Sequence, residues 1–262
     1  MARLSLAALA LPLLCLPGRV LAADLIPHHA FYELKLKDQK GQSGIVDASG
    51  GMAIEVKETC DAWLTEQRLK LRVVRDEEEE VITDNNFTSW EAKDGHRYRF
   101  SVRNRLNGVV NEELRGEAEI GAKGGTAKFT LPERREVALP KGTLFPTAHV
   151  GELLDAARKG VHIFRRTVFD GATVDGPDEI NVVIEAPVPL EKLPGLDQKI
   201  GAPAWPMRWA FFPISSTQAT PDYELAMRML DDGVVVGLTL VYEDFEVTGK
   251  ITFFAALPKP KC

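Results

Sequence analysis

The 262-residue chain lacks the short motifs that mark common catalytic and cofactor-binding sites. It contains no Gly-x-Ser-x-Gly nucleophile elbow, no His-Glu-x-x-His zinc motif, no Walker loop and no glycine-rich dinucleotide fingerprint. The five histidines are scattered, and no set of zinc ligands at suitable spacing accompanies the cysteines. We therefore predict a protein that is not an enzyme and that binds neither a metal nor a cofactor.

The sequence also lacks an excess of positive charge. Its 32 Lys and Arg residues face 38 Asp and Glu residues, for a formal net charge of −6. This balance argues against a nucleic-acid partner, because binding to a polyanion depends on clustered cations. Beyond the N-terminus there is no apolar run of about 18 residues, so we predict no transmembrane segment in the mature chain.

The N-terminus has the features of a secretory signal peptide. A positive charge at Arg3 precedes an apolar run from Leu4 to Leu16, and Val20-Leu21-Ala22 offers a cleavage site. The apolar run is too short to cross a bilayer. We predict a cleaved signal over residues 1–22 and a single mature domain over residues 23–262.

Cysteine is scarce. Of the three cysteines, Cys15 lies in the predicted signal, which leaves Cys60 and the C-terminal Cys262. Two thiols permit one intramolecular pairing, and an oxidising compartment favours it. Two free thiols or an intermolecular bridge are the alternatives. A catalytic redox pair is disfavoured, because the sequence has no Cys-x-x-Cys motif.

Polar and apolar residues alternate along most of the chain, most clearly over residues 96–103. Alternation with period two predicts antiparallel strands with one buried face. Dipeptides that favour tight turns separate the runs: Gly50-Gly51, Asp94-Gly95, Asn107-Gly108, Asp170-Gly171, Asp175-Gly176 and Asp232-Gly233. We predict an all-β, antiparallel domain of about 12–14 strands, with an irregular loop over the proline-rich residues 186–206.

One segment has helical spacing instead. Val150, Leu153, Leu154 and Ala157 predict a short α-helix near residues 147–159, which ends at Gly160. His149 falls in its first turn, where a local hydrogen bond is the simplest role and a general base is the alternative.

Tryptophan and methionine admit two interpretations. They fill a β core, or some of them line an apolar cavity that holds an acyl chain or a peptide. The candidate lining residues are Trp63, Trp205, Trp209 and Met227.

Several short stretches, spread over nearly the whole mature chain, carry a family resemblance through their residues and their order. They are Pro27-His28-His29-Ala30-Phe31-Tyr32, Cys60-Asp61-Ala62-Trp63 with Glu66-Gln67-Arg68, Tyr98-Arg99-Phe100, Phe145-Pro146-Thr147-Ala148-His149, Val168-Phe169-Asp170-Gly171, Asp232-Gly233-Val234 and the final Cys262. Together they resemble the EipB-type cell-envelope integrity proteins of alphaproteobacteria. The family pattern has Arg and Gly where this chain has His29 and Ala62, which affects local turn geometry.

The resemblance implies a periplasmic protein with a spiral-like, partly open β-barrel and one disulfide between Cys60 and Cys262. It also implies that the protein maintains the envelope by binding other envelope proteins, and it supplies no catalytic residues. Two alternatives remain open. The barrel interior could carry a lipid or lipoprotein acyl chain, or a carboxylate pair could hydrolyse an envelope polymer.

Overall fold

A computed structural model describes residues 25–41, 43–76 and 80–262. The predicted signal peptide, residues 1–22, lies outside the described residues. The described part contains fifteen strands, one α-helix and a short 3-10 helix, Asp197–Lys199. The elements are β1 (His28–Gln39), β2 (Ile45–Glu58), β3 (Ala62–Arg75), β4 (Glu80–Ala92), β5 (Arg97–Leu106), β6 (Val109–Gly121), β7 (Gly124–Leu131), β8 (Arg135–Leu139), α1 (Pro146–Arg158), β9 (Ile163–Val168), β10 (Asp178–Ile184), β11 (Val188–Pro189), β12 (Pro203–Pro213), β13 (Tyr223–Leu230), β14 (Val235–Val241) and β15 (Phe245–Ala256).

The strands form a single antiparallel sheet in the order β8-β7-β6-β5-β4-β3-β2-β1-β15-β14-β13-β12-β10-β9, with β11 paired to β12. The first and last strands, β1 and β15, are neighbours in the middle of the sheet. The outer strands β8 and β9 do not pair, and the segment after β8 closes the gap locally through Leu144, whose N–H donates to Thr167 O at 2.9 Å. This confirms the predicted all-β, partly open barrel.

The fifteen strands exceed the predicted 12–14 by one, because the short strand β11 lies in the proline-rich segment. That segment was predicted as an irregular loop throughout, but Pro189 pairs with Pro203. Proline tolerates such positions where its missing N–H is not needed for the ladder.

The turn predictions hold at three hairpins and in the β9–β10 connection, where Gly171 and Gly176 have positive φ, and they fail at Gly50-Gly51. Gly95, Gly108 and Gly233 all have positive φ in hairpin turns. Gly50 and Gly51 instead lie within β2. A Cβ atom on Gly50 would lie 2.0 Å from Lys70 O, and one on Gly51 would lie 2.8 Å from the Phe31 ring. These glycines permit close approach of neighbouring groups and do not make a turn.

The outer face of β5 and β6 explains the clear alternation in this part of the sequence. Arginines of β5 stand opposite glutamates of β6 in the pairs Arg97–Glu119, Arg99–Glu117 and Arg103–Glu113. In the last pair, Nη2 lies 2.6 Å from Oε1. Opposite charges across a strand pair stabilise the pairing modestly, and the inward side chains Tyr98, Phe100 and Val102 are apolar and buried.

Helix α1 lies within one residue of its predicted bounds. Its buried face consists of His149, Leu153, Leu154 and Ala157, at the four-residue spacing of a helical stripe. Pro146 occupies the first turn, where its missing N–H costs nothing. Within the described residues, no helix has both the length and the apolarity needed to cross a bilayer.

The structure joins Cys60 to Cys262, with their Cα atoms 5.6 Å apart and a sequence separation of 202 positions. Cys60 lies in the turn between β2 and β3, and Cys262 follows β15. The disulfide therefore holds the C-terminal tail next to the turn between β2 and β3.

Candidate ligand cavity

A cavity of about 490 Å³ lies inside the curved sheet. One wall comes from β2 to β5, and the other comes from α1 and the strands β9 to β14. The lining residues are Met52, Thr65, Gln67, Leu69, Asn85, Asn86, Phe87, Val102, Asn104, Pro146, His149, Val150, Val168, Asp170, Ala172, Ile180, Trp209, Phe211, Tyr223, Leu240 and Tyr242. This volume falls within the range typical of small-molecule sites.

The two walls differ in chemistry. On the β4–β5 wall, Asn85 Nδ2 donates to Asn104 Oδ1 at 2.8 Å, and Asn104 Nδ2 donates to Glu112 Oε2 at 2.7 Å. On the opposite wall, the Trp209, Phe211 and Tyr223 rings follow one another at centroid distances of 6.3 and 5.5 Å. The amides on the first wall bond within the protein, whereas the second wall presents aromatic surface.

His149 and Trp209 meet at the aromatic wall. Their rings are edge-to-face with centroids 5.1 Å apart, and the residues are 1% and 6% exposed. His149 Nε2 and Trp209 Nε1 have no hydrogen-bond partner among the described residues. Glu58 Oε2 is a third such atom, but the other oxygen of that carboxylate lies 2.7 Å from Lys93 Nζ.

Burial, together with the positive charge of Arg166, lowers the pKa of His149 to about 4. The imidazole is therefore neutral near pH 7. A neutral His149 that contacts the rings of Trp209 and Phe164 is a weak general base, and none of the described lining side chains is a serine or cysteine. This environment favours ligand binding over the general-base alternative.

Glu91 fixes the position of His149. Its carboxylate is 3% exposed and accepts hydrogen bonds from the backbone N–H groups of Thr147 at 2.7 Å and Ala148 at 2.8 Å. Burial raises the pKa of Glu91, and the hydrogen bonds from the helix oppose that rise. A carboxylate at a helix N-terminus satisfies free N–H groups and interacts favourably with the helix dipole. Glu91 thus holds the first turn of α1 against β4, and the next residue, His149, lines the cavity.

The charged side chain in the described cavity lining is acidic. Asp170 lines the cavity and accepts from Ala172 N at 2.9 Å, and burial raises the pKa of its carboxyl. Burial, together with the negative charges of Asp170, Asp222 and Asp175, raises the pKa of Asp178 to about 6. Among the described lining side chains, Asp170 is the single carboxylate, and there is no Lys or Arg. The carboxylate pair that glycoside hydrolysis requires is therefore not present in this lining.

The four residues that were predicted to line a cavity lie in different places. Trp209 lines the cavity, and Trp205 packs in the core cluster beneath α1. Met227 borders a separate depression between β12 and β14. Trp63 is buried near the disulfide, with Lys93 Nζ 5.7 Å from its ring centroid.

The sequence places His149 in the first turn of the helix, but it does not predict that the side chain lines a cavity. Its four-residue spacing to Leu153 and Ala157 places a polar ring on the apolar stripe of α1. That position was the available sign that the ring turns inward. Within the described residues, no cluster of three or more His, Cys, Asp or Glu side chains is arranged to hold a metal ion.

Comparison with known proteins supports the fold and identifies the family. The EipB-like family model matches residues 20–258. The cell envelope integrity protein EipB of Brucella abortus is 30% identical over 235 residues, which cover 88% of this chain and 84% of the relative. The crystal structure of a beta-barrel-like protein of a domain of unknown function from Brucella abortus superposes with a TM-score of 0.82 at 28% identity, covering 89% of this chain and 99% of that one. The chain therefore belongs to the EipB-like family.

Proposed function

We propose that this protein maintains the integrity of the cell envelope from the periplasm, without catalysis, by binding other envelope proteins. The observation that carries the proposal is the Brucella relative, which is named for cell envelope integrity and matches 88% of this chain. The disulfide supports the location, because disulfides persist in oxidising compartments such as the periplasm.

The outer surface offers a candidate contact for a protein partner. Phe31 of β1 and Phe253 of β15 stand directly opposite each other and are 44% and 54% exposed. Their neighbours Tyr32 and Phe254 point inward and are buried, so these two rings belong to the outer face. Adjacent exposed aromatic rings are common at protein–protein contacts, because they bury much apolar area when covered.

Deletion and complementation test this function. We expect a strain of the source organism without this gene to become sensitive to detergent, and the wild-type gene to restore resistance. A double variant, Phe31→Ser with Phe253→Ser, should restore it poorly while folding normally by thermal melting. The matched control is Ile163→Ser with Val183→Ser, an exposed apolar pair on β9 and β10, which should complement fully.

Either of two results would count against it. Unchanged detergent resistance in the deletion strain would overturn the envelope role. Equal complementation by both double variants would show that the Phe31–Phe253 pair does not bind the partner. Photocrosslinking from other surface positions would then have to recover a partner protein.

A second candidate function is supported by the cavity. Its aliphatic and aromatic lining fits an acyl chain of a lipid or lipoprotein. Native mass spectrometry of protein purified from its own envelope fraction should then detect a bound acyl species. A ligand-free mass, together with no uptake of fatty-acyl probes, would eliminate this function and leave the first one standing.

A further inference from the structure

We propose that Trp209 Nε1 and His149 Nε2 bind the carbonyl oxygen of an uncharged acyl compound, an ester or an amide, inside the cavity. The inference rests on the second candidate function, acyl-chain binding, and adds the chemical group that the cavity recognises.

The first argument is the placement of the two nitrogen atoms. A buried polar atom without a partner destabilises the fold, and a buried indole N–H usually finds an acceptor. In the described residues three buried side-chain polar atoms lack a partner, and two of them belong to rings that touch each other and line the same cavity. Two nitrogen atoms without partners, on residues that line one ligand-sized cavity, indicate a ligand that accepts hydrogen bonds from them.

The second argument concerns hydrogen-bond direction. The indole N–H of Trp209 can only donate, so the group that meets it must be an acceptor. The neutral imidazole of His149 can also donate from Nε2 in one of its tautomers. A carbonyl oxygen has two lone pairs and can accept from both rings. An ester or amide carbonyl therefore satisfies both atoms at once.

The third argument concerns charge. The described lining has no Lys or Arg to neutralise a carboxylate, and it includes the carboxyl group of Asp170. The cation whose charge lowers the pKa of His149 is Arg166, and its Nε already donates to Glu152 Oε2 at 2.8 Å. Burying a carboxylate without a countercharge is costly. The cavity should therefore reject a free fatty acid.

The fourth argument concerns the rest of the ligand. Aliphatic side chains from both walls line the space around the two rings, among them Leu69, Val102, Val168, Ile180 and Leu240. They offer contact to methylene groups and no further hydrogen bonds. The ligand thus combines a methylene chain with an uncharged carbonyl group.

The test compares four probes that share one chain: methyl dodecanoate, N-methyldodecanamide, dodecanoate and dodecane. Binding to the oxidised full-length mature protein is measured by native mass spectrometry and by the indole N–H signals in nitrogen–proton NMR spectra. We expect the ester and the amide to bind about tenfold or more tightly than dodecanoate and dodecane, equivalent to about 1.4 kcal/mol. We also expect the Trp209 indole signal to shift with the ester.

Three variants make the test specific. Trp209→Phe and His149→Phe should each lower the affinity for the ester and the amide to that for dodecane, while a cooperative thermal melt shows that each variant still folds. Trp205→Phe is the matched control, because Trp205 is equally buried but does not line the cavity. It should keep the wild-type preference.

The outcomes separate the two levels of the proposal. Binding of none of the four probes would overturn the acyl-chain function and this inference with it. Equal binding of all four, an unmoved Trp209 indole signal, or an unaltered ester preference in both variants would overturn the carbonyl contact while acyl binding stands. Tight binding of dodecanoate would overturn the requirement for an uncharged group.

Discussion

Two neighbouring regions of the molecule treat buried polar groups differently. In the anchor region, defined by the Cys60–Cys262 disulfide, Glu91 and the first turn of α1, both oxygens of Glu91 accept backbone hydrogen bonds. In the cavity region, defined by His149, Trp209 and the cavity they line, one nitrogen on each ring has no partner among the described residues. Only one residue, Ala148, separates Thr147 from His149 along the helix.

The comparison indicates two roles for buried polarity. Glu91 forms its hydrogen bonds within the chain, so its substitution should lower stability and leave ligand binding intact. His149 Nε2 and Trp209 Nε1 form no hydrogen bonds within the described residues. Loss of these two nitrogens should therefore weaken ligand binding more than it lowers stability. The following predictions test that division, beginning with the largest effect.

Loss of the disulfide should be the most damaging change to the anchor region. Reduction, or Cys60→Ser, releases a loop of 202 residues and should lower the free energy of unfolding by about 2–5 kcal/mol. Thermal melting with and without reductant measures the effect. Cys262→Ser should lower the melting temperature equally, and reductant should have no further effect on either variant. Identical melting of the oxidised and reduced wild-type protein would contradict the prediction.

His149 should make stability depend on pH. Burial lowers its pKa from 6.5 to about 4, so the unfolded chain takes up the proton first as the pH falls. Stability is therefore present above about pH 6.5 and falls toward pH 4, where the loss reaches about 3 kcal/mol. His149→Phe should lack this loss. Parallel denaturant titrations at pH 7 and pH 4 measure it, and the same pH response in both proteins would contradict it.

Glu91→Ala should destabilise the protein by about 2 kcal/mol, because it leaves the Thr147 and Ala148 N–H groups without their acceptor. Glu91→Gln is the control: it retains one carbonyl oxygen and should lose less. Urea unfolding at pH 7 compares the two. If Ala and Gln variants are as stable as the wild type, the carboxylate does not hold the helix.

Asp178 should give the smallest effect, with the opposite sign to His149. Burial and the neighbouring carboxylates raise its pKa from 3.8 to about 6, so its contribution to stability decreases as the pH rises through that interval. Asp178→Asn should raise the melting temperature at pH 7 and change it less at pH 4. A variant with the same melting difference at both pH values would show that Asp178 does not titrate in this interval.

The fold could be predicted well because local patterns encode it. The alternation around Tyr98 and Phe100 indicates one buried and one charged face, and the structure pairs the charged face of β5 with glutamates of β6. The apolar stripe of α1 gave its bounds within one residue. Gly50-Gly51 was misinterpreted because a turn and a close approach of strands both select glycine, and only the partner strand distinguishes them.

The cavity could be predicted less well, because alternation reveals which face a side chain occupies but not where opposing walls separate. Trp205 and Trp209 share the inner face of β12. The ring of Trp205 packs beneath α1, whereas that of Trp209 reaches the cavity. The difference depends on contacts between the two halves of the sheet, which no local pattern records. Likewise, no pattern showed that His149 and Trp209, 60 positions apart in the sequence, would touch.

The pairing of β1 with β15 also bears on how the protein is made. The final strand of the chain occupies the centre of the sheet, between the strands β1 to β8 and the strands β9 to β14. A polypeptide that emerges N-terminus first therefore presents β1 with an exposed edge until the last segment arrives. The two halves of the sheet can join only once β15 has been synthesised, which makes this a slow, non-local folding reaction.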